Sequence, residues 1–494
     1  TYGNRESFVA EDPHTWILTI PAGQKFPDGS TLEKETIYKM GGDSIKVSSD
    51  GGLTWTKYMV LNNAPAGKTP VDKHGGAGEW IFDRHTGRIM FQTYWKYKTY
   101  NPTDMNDSHM ESFILASDDG GKTWYLLYTL PCACMPEYAE ADVPRYALSY
   151  TAGIEVSTYD GAEGDGIDFV FPLGSQLDST GAFATRVAYT RDAGNTWQYS
   201  ASKISYPTAG GSEAGCSEAY IIERTDGVLV LYVRTQDPDV DNFGVSYSLD
   251  KGVTWTELPY MSDIYTVNTQ PVLKWTQING QNVPLFNWGG NNVSGGRSSI
   301  RNPLNFALST NDGETFRNIQ NIFAETYLED YSALAYGYIT NPSFDKFNGT
   351  DMILAFRRNL TKDRIMLMIQ DFDKWFTRTK GAYDNFEHGT VQYEGWNSPT
   401  NGVELSTVNA RGKYSMKLLP NASVTRSIPY LQNGSISLDL FVAEDSNFTL
   451  ELQSAFSNVY ADIAMPIGLR AENGKLYMNN SAKAIASLNT GWNT

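Results

Sequence analysis

Five residues of the types that bind carboxylates and transfer protons stand at or near the ends of predicted β-strands. They are three arginines, one glutamate and one tyrosine: Arg5, Arg234, Arg301, Glu218 and Tyr331. Guanidinium groups keep their charge at any working pH and bind a carboxylate through charge-assisted, bidentate hydrogen bonds. A glutamate can take a proton from a neighbouring hydroxyl group. These side chains would work together only in a fold that brings distant segments of the chain to one place.

An eight-residue motif, Ser-x-Asp-x-Gly-x-Thr-Trp, recurs along the chain and predicts how those segments are joined. Four copies match it well, and a fifth has Asn for the Asp and Phe for the Trp: residues 48–55, 117–124, 190–197, 248–255 and 309–316. Successive copies start about 60–70 residues apart, which is typical of a repeat architecture. Asp and Gly favour a tight turn, the Ser or Thr and Asp side chains can bond to turn amides, and Trp can fill the gap between neighbouring repeats.

Short β-type runs precede each copy of this octet, for example residues 89–93 and 227–233. A sixth segment, 331–376, keeps the strand pattern without an octet. Aromatic residues make up 13% of the chain and glycines number 44, a composition that favours an all-β protein. We therefore predict a six-bladed β-propeller over residues 1–376, with its last blade closed by the N-terminal strand.

Residues 377–494 also alternate β-type runs with Asn/Gly turns but contain no octet, and they predict a lectin-like β-sandwich. This domain stops soon after a predicted strand, so we expect it to be incomplete. The chain opens on Thr1, without a Met or a signal-like apolar segment, as a processed secreted protein would. We expect an extracellular or cell-surface location and a monomer.

Bulk composition limits the partners. A net charge of −17 and a pI near 4.8 argue against nucleic acid or an anionic membrane as the main partner. The sequence contains no run of about 20 apolar residues, so we expect no membrane span. Three cysteines are too few for a disulfide framework, and the five histidines lack ligand spacing. We expect neither a metal nor a cofactor.

The octets and their surroundings resemble those of exo-sialidases (neuraminidases) of the bacterial and trypanosomal type, in which such octets are called Asp boxes or BNR repeats. Ser217-Glu218, followed by a strand, an Asp-Gly turn and Arg234, resembles the fourth-blade pattern of that family. Arg301 precedes the fifth octet, where the family has its third arginine. The run Tyr-Ser-Ala-Leu that begins at Tyr331 resembles the Tyr-Ser-x-Leu around the family's nucleophile.

The resemblance implies a retaining exo-glycosidase that releases a terminal sialic acid, or a related 2-keto acid sugar, without a cofactor. Arg5, Arg234 and Arg301 would bind the sugar's carboxylate, Arg5 standing where the family has its first arginine. That carboxylate would repel an anionic nucleophile, so a neutral tyrosine suits the role. The resemblance therefore implies that Tyr331 attacks and that Glu218 takes its proton.

The leaving group needs an acid, which in the family is an aspartate about two dozen residues after the first arginine. Asp28, in a Pro-Asp-Gly turn, falls nearest to that position and is the predicted acid. Glu33, Glu35 and Asp43 are its rivals.

Other functions remain open at this point. A propeller of related architecture could act on another acidic glycan, as a hydrolase for a different ulosonic acid or as a polysaccharide lyase. A lyase would need a His or Tyr base near a charge-neutralising Arg, and the histidines are sparse. From a different class, the chain could be a carbohydrate-binding propeller that has lost its chemistry, against which the presence of Tyr331 and Glu218 speaks.

Overall fold

The computed structural model describes a chain made of β-strands and their connections. The described residues are 4–9, 15–41, 44–60, 77–96, 110–132, 143, 147–148, 152–162, 164, 166–176, 182–206, 215–235, 242–257, 260–265, 269–278, 280–289, 304–323, 339–347, 351–359, 363–372, 396–397, 402–408, 410, 413–426, 439–443, 446–452, 467–478 and 481–493. In these ranges, no helix has the length and apolar character needed to cross a membrane.

The first three blades are antiparallel sheets built in chain order, after an N-terminal strand, β1 (Asn4–Val9), that belongs elsewhere. Blade 1 consists of β2 (Thr15–Ile20), β3 (Thr36–Gly41), β4 (Ser44–Ser48) and β5 (Thr56–Val60). Blade 2 consists of β6 (Ala77–Phe82), β7 (Ile89–Lys96), β8 (Met110–Ser117) and β9 (Tyr125–Leu130). In blade 3, β10 (Ala147–Leu148) and β11 (Ile154–Glu155) share the first position and are followed by β12 (Phe169–Gln176), β13 (Phe183–Thr190) and β14 (Gln198–Tyr199).

The next three sheets follow the same plan. Blade 4 consists of β15 (Cys216–Glu223), β16 (Leu229–Thr235), β17 (Asn242–Ser248) and β18 (Tyr260–Tyr265). Blade 5 consists of β19 (Val272–Ile278), β20 (Gln281–Gly289), β21 (Leu304–Leu308) and β22 (Arg317–Phe323). Blade 6 consists of β23 (Ile339–Phe347), β24 (Asp351–Asn359) and β25 (Asp363–Asp371), with β1 as its outermost strand.

The six sheets close into a ring. The first strands of successive blades contact one another, with β11 of blade 3 contacting β6 and β12 contacting β15, and β23 contacts β2 to complete the circle. Two side chains of β23 reinforce this closure. Ser343 accepts a hydrogen bond from the main-chain N–H of Ile17 (3.1 Å), and Asp345 accepts one from that of Thr19 (2.7 Å). The prediction of a six-bladed propeller, closed by the N-terminal strand in its last blade, is confirmed.

Each octet forms the turn between the third and fourth strands of its blade, and the first copy illustrates the bonding. The Ser48 hydroxyl accepts from the N–H of Gly52 (2.9 Å) and donates to Asp50 (2.8 Å). Asp50 in turn accepts from the main-chain N–H and the hydroxyl of Thr54 (2.9 and 2.6 Å), and Trp55 Nε1 donates to the Gly52 carbonyl (3.1 Å). The side chains therefore satisfy the turn's amides, as predicted from their types.

The fifth position of every octet requires glycine for two reasons. Its φ is positive, between 83° and 103°, which residues with a Cβ rarely adopt. A Cβ there would also lie 2.5–2.9 Å from a side chain of the preceding blade: Leu367, Tyr38, Met90, Val170 and Ile222 in turn. Trp197 and Trp255 lie buried in cores shared with the preceding blade. The octets thus join neighbouring blades as well as turning the chain.

Two ends of each blade can now be distinguished. The octet end carries the octets together with the connections between first and second strands; for example, Thr225 in the β15–β16 turn donates to Asp312 in the fifth octet (2.7 Å). The site end is the other one, where first strands begin and second strands end. Glu218 and Arg234 both belong to the site end of blade 4.

Clustering of contacts divides the chain into two compact units. The first comprises Thr1–Phe316 and Asn321–Arg378, and the second comprises Arg317–Gln320 and Thr379–Thr494. The second unit contains β26 (Trp396–Asn397), β27 (Val403–Ser406), β28 (Ser415–Leu418), β29 (Thr425–Arg426), β30 (Leu440–Val442), β31 (Phe448–Leu452), β32 (Ile467–Glu472), β33 (Lys475–Met478), β34 (Ala484–Ser487) and β35 (Gly491–Asn493). These strands pair as β26–β29, β27–β28, β30–β35 and β31 to β34. A two-sheet sandwich stays a prediction for this unit.

Candidate active site

The β15–β16 hairpin of blade 4 carries Glu218 and Arg234, two of the residues that the sequence assigns to chemistry. Its strands are rich in Val, Ile, Leu and Tyr, which pack well on a pleated surface, and most of their side chains are buried. The hairpin reverses at Gly227, whose φ is +84° and whose N–H donates to the Arg224 carbonyl (2.9 Å). This turn fixes the register that sets Glu218 on the first strand beside Arg234 on the second.

A β-bulge brings the two side chains together. Cys216 pairs with Thr235 and Ala219 with Val233, so two residues of β15, 217 and 218, oppose the single residue Arg234 of β16. Bulges are known to re-aim side chains next to active sites. Here Arg234 Nη1 donates to Glu218 Oε2 at 2.6 Å, and the side chains are only 14% and 11% exposed, respectively.

The chemistry open to this pair is proton transfer beside a bound carboxylate. A guanidinium group has five N–H donors in one plane, so Arg234 can hold Glu218 and a ligand's carboxylate together. Glu218, fixed in position by that bond, can accept a proton from a hydroxyl group placed nearby.

Cys216 begins the strand that carries Glu218, but it is not suited to be a nucleophile. Its side chain is fully buried, and burial raises the pKa of the thiol to about 12. A thiol with such a pKa stays protonated at neutral pH, and the thiolate is the reactive form. Cys216 is therefore a packing residue, and the side chain of Cys132 is likewise buried.

Asp28 does not lie near the Glu218–Arg234 pair. It occupies the β2–β3 connection, and its main-chain N–H donates to the carbonyl of Asp118 in the second octet (3.1 Å), which puts it at the octet end. It is also exposed, and hydrogen bonding by Ser30, whose main-chain N–H donates to Asp28 Oδ1 (2.8 Å), lowers its pKa. Asp28 therefore stands at the other end of the propeller from Glu218, and its lowered pKa favours the ionised form, which has no proton to give to a leaving group. The prediction that Asp28 is the acid is corrected on these grounds.

The rivals of Asp28 divide between the two ends. Glu33 and Glu35 belong to the same β2–β3 connection as Asp28, which joins the two strands at the octet end. Asp43 lies outside the described residues, between β3 and β4. Those strands pair at Gly41 and Ser44, and these two described residues lie at the site end of blade 1.

Arg5 also lies away from the position that the resemblance implied. It belongs to β1, the outermost strand of blade 6, and not to the start of the first strand of blade 1. Three strand spacings separate β1 from β23, the inner strand of that blade, or roughly 14 Å. The first strand of blade 1 begins instead at Thr15, followed by the buried Trp16. The assignment of Arg5 to the carboxylate site is corrected on this ground.

Arg301 and Tyr331 lie outside the described residues, so their assignments rest on the sequence. Among the described residues, no group of three or more His, Cys, Asp or Glu side chains is arranged to hold a metal ion.

A six-bladed propeller joined by octet turns, with an ion pair at the start of one inner strand, defines the class of protein. A family model described as a BNR repeat-like domain matches residues 30–315, more than half of the chain. The chain therefore belongs to the family of proteins with a BNR repeat-like domain. No protein of curated function matches it in sequence.

Solved structures with a similar arrangement include three sialidases or trans-sialidases. A mutant of Trypanosoma rangeli sialidase displaying trans-sialidase activity is 14% identical, with a TM-score of 0.48 over 99% of this chain and 84% of that one. The intramolecular trans-sialidase from Ruminococcus gnavus is 14% identical, with a TM-score of 0.49 over 74% and 97% of the two chains. The leech intramolecular trans-sialidase is 13% identical, with a TM-score of 0.49 over 76% and 71%.

Proposed function

We propose that the protein is a retaining exo-glycosidase that releases a terminal sialic acid, or a related 2-keto acid sugar, from acidic glycans. The observation that carries this proposal is the Glu218–Arg234 pair, a base and a carboxylate-binding cation held 2.6 Å apart at the site end of blade 4. Membership of the BNR repeat-like family and the sequence motifs around Arg301 and Tyr331 support it.

In the proposed reaction, Arg234 and Arg301 bind the sugar's carboxylate and orient the anomeric carbon. The Tyr331 hydroxyl attacks that carbon while its proton passes to Glu218, and the bond to the leaving oxygen breaks. The resulting glycosyl-tyrosine is hydrolysed by water, so the sugar leaves with retained configuration. A neutral nucleophile avoids repulsion by the substrate's carboxylate, which favours a tyrosine. A neutral tyrosine is a weak nucleophile, so it needs the neighbouring glutamate to take its proton as it attacks.

We assign the leaving-group acid to Asp43 in place of Asp28. Asp43 was a rival from the sequence, and the described residues on either side of it in the chain, Gly41 and Ser44, lie at the same end of the blades as Glu218. The proposed acid is thus Asp43 and no longer Asp28, and its role, protonation of the leaving oxygen, is unchanged.

One observation favours a second candidate, a propeller hydrolase acting on another acidic sugar. The first strand of blade 1 starts with Thr15 and Trp16, without an arginine. A site with two arginines makes fewer charge-assisted bonds to the carboxylate than a site with three, so contacts to the rest of the sugar contribute a larger share of recognition.

The proposal is tested by release of a fluorogenic sialoside by the wild type and by Tyr331→Phe. The phenylalanine variant should lose release, because its ring lacks the attacking oxygen. Tyr260→Phe, at a 63% exposed tyrosine in the outer strand of the same blade as Glu218, is the control and should keep wild-type activity. Wild-type activity in Tyr331→Phe would reject the nucleophile.

A panel of glycosides of different ulosonic acids separates the two candidates. Selective cleavage of the sialoside supports the first candidate, whereas cleavage of another ulosonic acid glycoside in its place supports the second. Absence of cleavage across the panel by the wild type would reject both.

A further inference from the structure

The hydroxyl group of Thr185 crosses from blade 3 to blade 4 beside the candidate site. It donates a 2.8 Å hydrogen bond to the main-chain carbonyl of Ser217, and Thr185 itself is completely buried. Ser217 is the first residue of the bulge and immediately precedes Glu218. Residues in a bulge lie outside the regular hydrogen-bond ladder of the sheet, so their main-chain groups need other partners. Thr185 supplies such a partner from the neighbouring blade.

Thr185 is itself held firmly. Its main-chain N–H donates to the Ile204 carbonyl and its carbonyl accepts from the Ile204 N–H, both at 2.8 Å. On the other side of β13 it pairs with Gly174 of β12. A β-branched side chain has few rotamers, and burial restricts them further. The hydroxyl therefore presents a fixed donor to the bulge.

The chain enters the bulge pressed against the same strand of blade 3. Gly215 forms a parallel bridge with Phe183, the first residue of β13. The φ of Gly215 is +109°, and a Cβ at this position would lie 2.2 Å from the Phe183 carbonyl oxygen. Only glycine fits here, because both the backbone conformation and the close approach exclude a side chain. Strand β13 thus fixes the entry to β15 at residue 215 and its bulge at residue 217.

We propose that Thr185 is a positioning residue for Glu218. By holding the Ser217 carbonyl, it keeps the bulge in the conformation that places the Glu218 carboxylate against Arg234. The geometric part of this proposal concerns the ion pair alone. Its catalytic consequence rests on the proposed function, in which Glu218 takes the proton of the nucleophile.

The geometric part is tested by crystal structures of Thr185→Val and Thr185→Ser. Valine has nearly the same shape but no donor, so the Glu218 Oε2–Arg234 Nη1 distance should lengthen beyond the hydrogen-bonding range of about 3.2 Å. Serine keeps the hydroxyl and should keep the 2.6 Å pair. An unchanged pair in Thr185→Val would overturn the proposal, whatever the activity of the enzyme. If the valine variant does not fold, Thr185→Cys, with a similar volume and only a weak donor, takes its place in the same measurements.

The catalytic part is tested by steady-state kinetics on a sialoside, with Ser246→Ala as the matched control. The buried hydroxyl of Ser246 donates to the Thr256 carbonyl (2.6 Å) in the same blade, but it lies toward the octet end of β17. Both Thr185→Val and Ser246→Ala lose one buried hydrogen bond and should unfold at lower temperature. Only Thr185→Val should lose kcat, by about 10- to 100-fold, with KM nearly unchanged, because a small misplacement of a catalytic group costs that much.

The outcomes separate the two proposals. Thr185→Ser should restore kcat, since it restores the donor. An equal loss of kcat in Ser246→Ala, or a loss in Thr185→Val with the ion pair intact, would show that Thr185 acts through stability alone and would overturn its positioning role. A wild type that cleaves no ulosonic acid glycoside would reject the proposed function, and the crystal structures would still decide the role of Thr185.

Discussion

Glu218 Oε2 and Arg234 Nη1 lie 2.6 Å apart because two residues of β15 face one residue of β16. The regular ladder on either side of this bulge, Cys216 with Thr235 and Ala219 with Val233, shows that the irregularity is confined to the pair. A short contact between a base and a cation, both largely shielded from water, is the feature on which the proposed chemistry depends.

Glu218→Gln tests the role of the base. Glutamine has nearly the same size and keeps an acceptor for Arg234, but it cannot take a proton. We expect kcat on a sialoside to fall by about 10²- to 10⁴-fold, the usual contribution of general acid–base catalysis. The control is Glu404→Gln, which alters an exposed ion pair with Lys417 (2.8 Å) in the C-terminal unit and should change nothing measurable. Wild-type kcat in Glu218→Gln would remove the glutamate from the mechanism.

Asp28→Asn and Asp43→Asn distinguish the two candidate acids. We expect Asp28→Asn to keep full activity, because Asp28 is bonded to the second octet at the octet end. Asp43→Asn should lose much more activity on an alkyl sialoside than on an aryl sialoside, whose good leaving group needs little protonation. The measurement is the ratio of kcat/KM for the two substrates. A loss confined to Asp28→Asn would restore the assignment made from the sequence.

Substitutions at the fifth octet and at Tyr232, which bonds to it, test how the blades are joined. In the first four copies, the tryptophan Nε1 donates to the glycine carbonyl at 2.8–3.1 Å. Phe316 has no such donor, and the hydroxyl of Tyr232 in blade 4 donates to the Gly313 carbonyl instead (3.1 Å). The buried ring of Phe316 packs edge-on against Tyr232. We expect Tyr232→Phe to lower the free energy of unfolding by about 1–3 kcal/mol, since it leaves a buried acceptor unpaired.

A double-mutant cycle makes this prediction specific. In the Tyr232→Phe background, Phe316→Trp should recover stability, because the indole can supply the missing donor, whereas Phe316→Trp alone should destabilise a filled core. Unfolding midpoints at one scan rate measure the four proteins. Purely additive effects would mean that the tyrosine hydroxyl does not substitute for the indole N–H.

We predict that the octet aspartates make the folded protein less stable at acidic pH. Hydrogen bonds from the hydroxyl and main-chain N–H of Thr54, and then from the Ser48 hydroxyl, lower the pKa of Asp50 to about 2. Burial alone would raise the pKa of Asp119, Asp192 and Asp250, but their hydrogen bonds, led by those from the threonine of the same octet, outweigh it and lower the pKa. A carboxyl group with a lowered folded-state pKa stabilises the fold above its unfolded pKa, near 3.9, and loses this contribution as the pH falls through the folded value.

The unfolding midpoint should therefore drop between about pH 4 and pH 2. A variant with asparagine at all four positions should show a shallower drop, because the amide does not titrate. The fifth octet shows that asparagine fits the turn: Asn311 accepts from the main-chain N–H of Thr315 (3.0 Å) and bonds to Ser309 (2.9 Å). An unchanged acid slope in the fourfold variant would place the sensitivity elsewhere.

Much of the fold could be predicted from the sequence because the octets are local. Within the described part of the chain, the hydrogen bonds of a turn residue such as Asp50 go to residues within four positions of it, so its role follows from spacing. The five turns locate five blades, and the strand pattern of residues 331–376 adds the sixth. The pairing of Glu218 with Arg234 could be anticipated in the same way, because one short hairpin joins them.

The errors arose where position depends on distant contacts. Arg5 lies in a strand that pairs with residues 364–368, and nothing close to it in sequence sets that pairing. Counting forward from Arg5 then carried the error to Asp28. The bulge at residue 217 and its bond to Thr185, 32 residues earlier, likewise depend on how two blades meet, which spacing in the sequence does not reveal.

The most direct test of the proposed function is the structure of the protein soaked with an unsaturated sialic acid analogue. The proposal predicts that the ligand's carboxylate lies within about 3.2 Å of the Arg234 guanidinium, with its anomeric carbon facing Tyr331 and Glu218 at the site end of the propeller. A carboxylate bound at the octet end, or bound without contact to Arg234, would contradict it.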